Sequence, residues 1–92
     1  MTALLVTYDL NKEGQNYSEK NKKVLEIIKK YSNVNLSESS YAISTNENPD
    51  DVYAKFKPLL DTNDSLYVIT LRKPKMGHVL PSVTKWMDEN LT

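Results

Sequence analysis

Asp9 directly follows the strand-forming run Ala3-Leu4-Leu5-Val6-Thr7-Tyr8. A carboxylate placed directly after a buried strand is held rigidly at the end of a sheet. One such group is too few to hold a divalent ion. Two copies related by a two-fold axis could bring a pair together, and Mg²⁺ or Mn²⁺ accepts oxygen ligands of that kind. Asp9 is therefore the candidate catalytic and metal-ligating residue. The plainer reading is that it ends the strand or caps the loop that follows.

A second chemistry is contact with phosphate. Lys20, Lys22 and Lys23 fall on a predicted helix, and Arg72, Lys73 and Lys75 on a compact basic loop. Together they could form a nucleic-acid-binding patch for RNA or DNA. The plainer reading is a solvated helix face and a solvated loop. Tyr8, Tyr41 and Tyr67 fall on three different predicted strands, and a sheet that displays aromatics can stack bases. Tyrosine is also a good strand residue with a polar tip, and no basic-aromatic RNA-binding motif accompanies these three. His78 is the single histidine, which excludes histidine relays within one chain and reads as a surface residue. With only Gly14 and Gly77, the sequence has no glycine-rich phosphate loop, and HExxH and EF-hand patterns are also missing. No cysteine is present, so thiolate sites and disulfides are excluded.

The elements that must position these residues follow from periodicity. Ala3 to Tyr8 is apolar on both faces and reads as a central strand. Asn11 to Tyr17 is polar, contains Gly14 and reads as a loop. Ser18 is a candidate cap for a helix whose stripe is Val24, Ile27, Ile28 and Tyr31. Two short alternating strands, around Val34 and Leu36 and then Ser40 to Thr45, are joined by a turn at Ser37-Glu38-Ser39. Asn48-Pro49-Asp50-Asp51 marks a second helix start, with Val52, Phe56, Leu59 and Leu60 as its buried stripe. Pro58 should tighten or kink its end. Leu66 to Leu71 reads as a well-buried strand. Leu80, Val83, Trp86, Met87 and Leu91 recur at helical spacing and mark a C-terminal helix.

The order β-α-β-β-α-β-α predicts an α+β fold, a ferredoxin-like βαββαβ sandwich with an extra C-terminal helix, as one domain over residues 1–92. Such a chain buries roughly 60–65% of its unfolded surface. Twelve basic and twelve acidic residues cancel, which argues against a strongly basic nucleic-acid binder. The N-terminal apolar run is short, lacks a basic flank and does not read as a signal peptide. No apolar segment approaches the ~20 residues of a membrane span. A cytoplasmic protein without membrane contact is expected. Both long helices should cover one sheet face. A single short helix should not cover all of the other, so a homodimer using the open face, the C-terminal helix or both is expected. Trp86 is the candidate interface residue.

The opening Leu4-Leu5-Val6-Thr7-Tyr8-Asp9-Leu10-Asn11 resembles the first strand of the small CRISPR-associated adaptation subunits and their VapD-like relatives. The resemblance is closer to small bacterial and phage proteins labelled SinR family. It rests on Tyr8-Asp9-Leu10-Asn11, then Gly14-Gln15-Asn16-Tyr17 and the lysine-rich helix to Lys30. Lys57-Pro58-Leu59, Asn63-Asp64-Ser65-Leu66 and the final helix with Trp86 extend it along nearly the whole chain. The resemblance implies a binding module like the CRISPR adaptation subunit, working through protein or nucleic-acid contacts. Two alternatives stand beside it. One is a metal-dependent endoribonuclease in which Asp9 matches the acid proposed to bind metal in the nuclease-active members. The other is an inhibitor or antitoxin of a phage or mobile element that blocks a protein partner.

Overall fold

The computed structural model describes residues 1–11 and 16–92. The expected Asn11–Tyr17 loop, and the resemblance at Gly14-Gln15, fall largely outside the described residues. Four strands and three helices follow one another as β1 (Thr2–Asp9), α1 (Tyr17–Ile28), β2 (Ser32–Ser37), β3 (Ser40–Thr45), α2 (Pro49–Phe56), β4 (Ser65–Leu71) and α3 (Pro81–Asn90). The strands form one sheet in the order β2-β3-β1-β4, with every neighbouring pair antiparallel. β1 and β2 are therefore parallel to each other, as are β3 and β4, and a helix makes each crossover. This is the ferredoxin-like arrangement, extended by α3.

Period-two alternation along β1 divides the interior. Leu4, Val6 and Tyr8 join Ile43 of β3 on one face, where Val24 and Ile28 of α1 and Val52 and Phe56 of α2 close the main core. Ala3, Leu5, Thr7 and Asp9 point to the other face. There they stand in register with Ser44, Ala42 and Ser40 of β3 and with Leu71, Ile69, Tyr67 and Ser65 of β4. Ala3 and Ala42 are buried on this second face although α1 and α2 lie across the sheet from them. The helix available to cover them is α3, which contacts β2 and buries Val83. α3 thus lies over the β2 side of the face; of the β1–β4 half, Ala3 is buried, Leu5, Thr7 and Leu71 are half-buried, and Tyr67 and Ile69 are exposed.

Local chemistry accounts for the helix ends. α1 starts at Tyr17 after Asn16, whose backbone carbonyl accepts from Lys20 N, so the expected Ser18 cap is instead a residue of the first turn. Pro49 opens α2, where its missing N–H has no helical acceptor to lose. Asp50 and Asp51 then sit at the positive end of the helix dipole. Pro58 tightens the chain into a 3₁₀ turn over Lys57–Leu59, as expected.

The expectation for β4 also fails. β4 is not a well-buried strand: it is the edge of the sheet, and Tyr67 and Ile69 are 72% and 47% exposed. Its apolar residues suit both faces, but it has a strand neighbour on one side only.

Candidate functional site

Asp9 ends β1 on the partly open face, exposed and in register with Ser65. A small cavity of about 110 Å³ lies beside it, lined by Tyr8, Asp9, Tyr17, Asn21 and Glu38 among others. Tyr8 points the other way, into the main core. Burial, and then charge repulsion against its ionised form from neighbours Tyr41, Tyr17 and Glu38, push its phenol up to about 12. The Tyr8 hydroxyl therefore keeps its proton at neutral pH and is not a base partner for Asp9. Among the described residues no three or more of His, Asp and Glu come together as a metal site would need.

The six cations proposed for phosphate contact do not form one patch. α1 runs back from the Asp9 end of the sheet, so Lys20, Lys22 and Lys23 lie at that end on the α1–α2 face. Arg72, Lys73 and Lys75 follow β4 at the opposite end, because Leu71 stands opposite Ala3. Several of these cations already have acidic or carbonyl partners. Lys20 Nζ lies 2.6 Å from both Asp61 and Asp64, and these two bonds raise its pKa. Lys23 faces Glu19 at 3.5 Å. Lys75 pairs with Asp88 at 2.8 Å, which holds that carboxyl below its ordinary range. Lys73 donates to the Asp88 carbonyl oxygen at 3.1 Å. The basic loop is thereby tied to α3. Lys22 and Arg72 are exposed.

No protein-family model and no curated protein matches the chain.

Two polar clasps, which periodicity does not signal, fix the edges of the α1–α2 layer. At the Asp9 end, the fully buried Asp64 side chain accepts from Asn11 N at 2.8 Å, Asp61 N at 2.8 Å and Lys20 Nζ. Burial alone would raise its pKa. The bonds from Asn11, Lys20 and Asp61 outweigh burial and hold the carboxyl below its ordinary range. This clasp joins the end of β1, the start of α1 and the turn before β4. At the other end, Tyr31 donates to Glu47 at 2.7 Å, Lys55 donates to Glu47 at 3.0 Å, and the Lys55 ammonium lies 4.9 Å from the Tyr31 ring centre. Tyr31 and Lys55 lower the Glu47 pKa.

What remains open to a partner is the β1–β4 half-face and the flank beside it. The half-face carries Leu5, Thr7, Tyr67, Ile69 and Leu71, with Asp9 at one end. A side-chain hydrogen bond of 2.9 Å joins Thr7 to Ser40 at its border with β3. Alongside β4, on the α2 side, runs a groove of about 730 Å³ whose walls include Asp50, Tyr53, Lys57, Leu60, Leu66 and Val68. Trp86 is half-buried on α3, across the sheet from this edge. His78 is exposed in the loop before α3.

Proposed function

We propose that the protein is a binding module without catalysis of its own, in the manner of the small CRISPR adaptation subunits it resembles, and that it takes a protein partner on the β1–β4 half-face. The observation that carries this reading is the pair Tyr67 and Ile69, 72% and 47% exposed in the middle of a strand whose other face packs on the core. An exposed aromatic beside aliphatic neighbours on a rigid sheet is the chemistry of an interaction hot spot. Nucleic acid is the weaker fit. The chain is neutral, and Lys20, Lys23 and Lys75 are already held by carboxylates.

Affinity capture from a native extract tests the reading, with wild type beside Tyr67→Lys and Ile69→Lys and with nuclease treatment as a further arm. A discrete partner that survives nuclease and is lost with either substitution is the expected result. Capture that vanishes with nuclease would replace a protein partner by nucleic acid. Equal capture by all three proteins would remove the half-face from consideration. RNA incubated with Mg²⁺ or Mn²⁺ gives the catalytic control. Cleavage by wild type that Asp9→Asn abolishes would turn the reading to a metal-dependent endoribonuclease.

A further inference from the structure

The β4 edge has three properties that bear on what covers it. Its outer side has no strand neighbour, and Ser65–Leu71 contains no charge and no proline. Natural edge strands usually carry one of these to prevent pairing with another chain. Its flanks are also oppositely charged. Asp61 and Asp64 precede the strand, and Arg72, Lys73 and Lys75 follow it. Finally, the groove on its α2 side is lined by Asp50 of α2 and by Lys57 of the 3₁₀ turn that continues it, on either side of Tyr53.

We infer that β4 is the contact edge of a symmetric homodimer, in which two copies of the strand pair antiparallel about a two-fold axis at Val68. Antiparallel pairing on that axis sets Tyr67 opposite Ile69 of the partner subunit and Leu66 opposite Thr70 of the partner subunit. Aromatic–aliphatic cross-strand pairs of this kind stabilise a sheet. The same register carries the exposed Arg72 of one copy to the Asp61–Asp64 turn of the other, twice per dimer. Parallel pairing, or a shift of several residues, loses this match. Asp61 bonds Lys20 of its own chain through Oδ2 yet keeps its side chain 76% exposed, open to a second cation, whereas Asp64 is sealed inside its own chain. On the helix side, α2 runs antiparallel to β4, so the axis passes near Tyr53. Two copies of α2 then face each other across the groove, with Asp50 toward Lys57 of the partner subunit.

The result is one eight-stranded sheet. Its central strands, β1-β4 and their two-fold mates, form a continuous open surface bordered by the two α3 helices. The edge contact stands independently of whether that surface binds a partner. It also bears on Asp9. At ~3.4 Å per residue along a strand and ~4.8 Å between strands, the two Asp9 carboxylates would lie roughly 25 Å apart. An edge-paired dimer therefore cannot share a metal ion between them.

Sedimentation equilibrium from low to high micromolar concentration tests the assembly, and the expected limit is twice the chain mass of 10.6 kDa. Arg72→Glu and Asp61→Lys each place like charges together twice, and each should raise the dimer dissociation constant about tenfold or more. The double reversal should restore it. A monomer throughout the range would overturn the inference. So would a dimer indifferent to the single reversals, or a double reversal that fails to restore it. Because the chain lacks cysteine, a second measurement is clean. Val68→Cys meets its own twin at the axis and should oxidise to a covalent dimer far faster than Leu66→Cys or Thr70→Cys. Equal rates at the three positions would refute the register. Thr7→Lys lies on the half-face away from the edge. It should leave the dimer intact while blocking partner capture, which separates failure of this inference from failure of the binding reading.

Discussion

The sheet ends on β2 at one side and on β4 at the other, and the two strands meet solvent differently. β2 reads Ser-Asn-Val-Asn-Leu-Ser, and its pairing with β3 is irregular between Asn35 and Ser37. The Asn35 side chain turns back to donate to the carbonyls of Ser37 and Ser40. α3 also lies against this strand. Irregular register, polar side chains that use up backbone acceptors and a covering helix all hinder addition of another strand. β4 has a regular seven-residue register against β1 and an uncharged apolar sequence. One chain thus contains a guarded edge and an open one. The guarded edge lies where α3 covers the face, and the open edge carries Tyr67 and Ile69, the exposed apolar residues of that face.

The largest effect should come from removing what holds β4 in place. Phe56 is fully buried where α2 packs on the sheet. Phe56→Ala should lower stability by about 3–5 kcal/mol, read from urea unfolding, through lost apolar contact and the cavity left behind. A loss under about 1 kcal/mol would mean that the core beneath the open edge is looser than its burial indicates.

The next effect concerns the foot of β4. Asp64→Asn keeps the shape but removes the charge that three donors share, and should cost about 1–3 kcal/mol. Its pH dependence has a definite sign. The folded carboxyl titrates below its ordinary value, so its contribution is complete above the unfolded value of about 3.9. That contribution is lost as the pH falls through the folded value. Urea midpoints measured downward from pH 6 should therefore converge for wild type and Asp64→Asn in the acid range. Curves that stay parallel would show that the charge on Asp64 is not what the clasp uses.

Much of the fold was legible in the residues. Alternation at Val34 and Leu36, the Asn48-Pro49 start and the effect of Pro58 all correspond to observed elements. The standing of β4 was misread for a physical reason. An apolar run from Leu66 to Leu71 reports that both faces meet apolar surroundings, but not how many strands flank it. That number comes from the chain order, which puts β4 on the free side of β1. The site was less legible. Lys20 reads as a phosphate contact because its partners Asp61 and Asp64 lie more than forty residues away, and no local pattern joins them. The signal that could have revealed the open edge was the charge order Asp61, Asp64, apolar strand, Arg72, Lys73, which becomes informative once β4 is placed at the rim.

Hydrogen exchange can compare the two edges within one sample. If β4 pairs with a second copy and β2 does not, β4 amides on the free edge should slow by about fivefold when the total chain concentration exceeds the dimer dissociation constant tenfold. The β2 amides should exchange at the same rate at both concentrations. Equal slowing in both strands would point to general tightening of the fold in place of a contact at one edge.

The smallest effect tests the guarded side. Asn35 is exposed, and its side-chain amide serves two carbonyls at the β2–β3 turn. Asn35→Ala removes those bonds where water can replace them, so the loss should be only about 0.5–1 kcal/mol. The oligomeric state matters more than the stability change. Two of the three guards, the register irregularity and α3, do not depend on this side chain. The variant should therefore sediment as wild type does, with no species beyond the dimer. If the amide were the main guard, its removal would leave each copy with two adhesive edges. Two-fold contacts at β4 and new contacts at β2 would then alternate, and the sheet would extend without closing. Light scattering that grows with time in Asn35→Ala, and not in wild type, would assign the guarding of β2 to one asparagine.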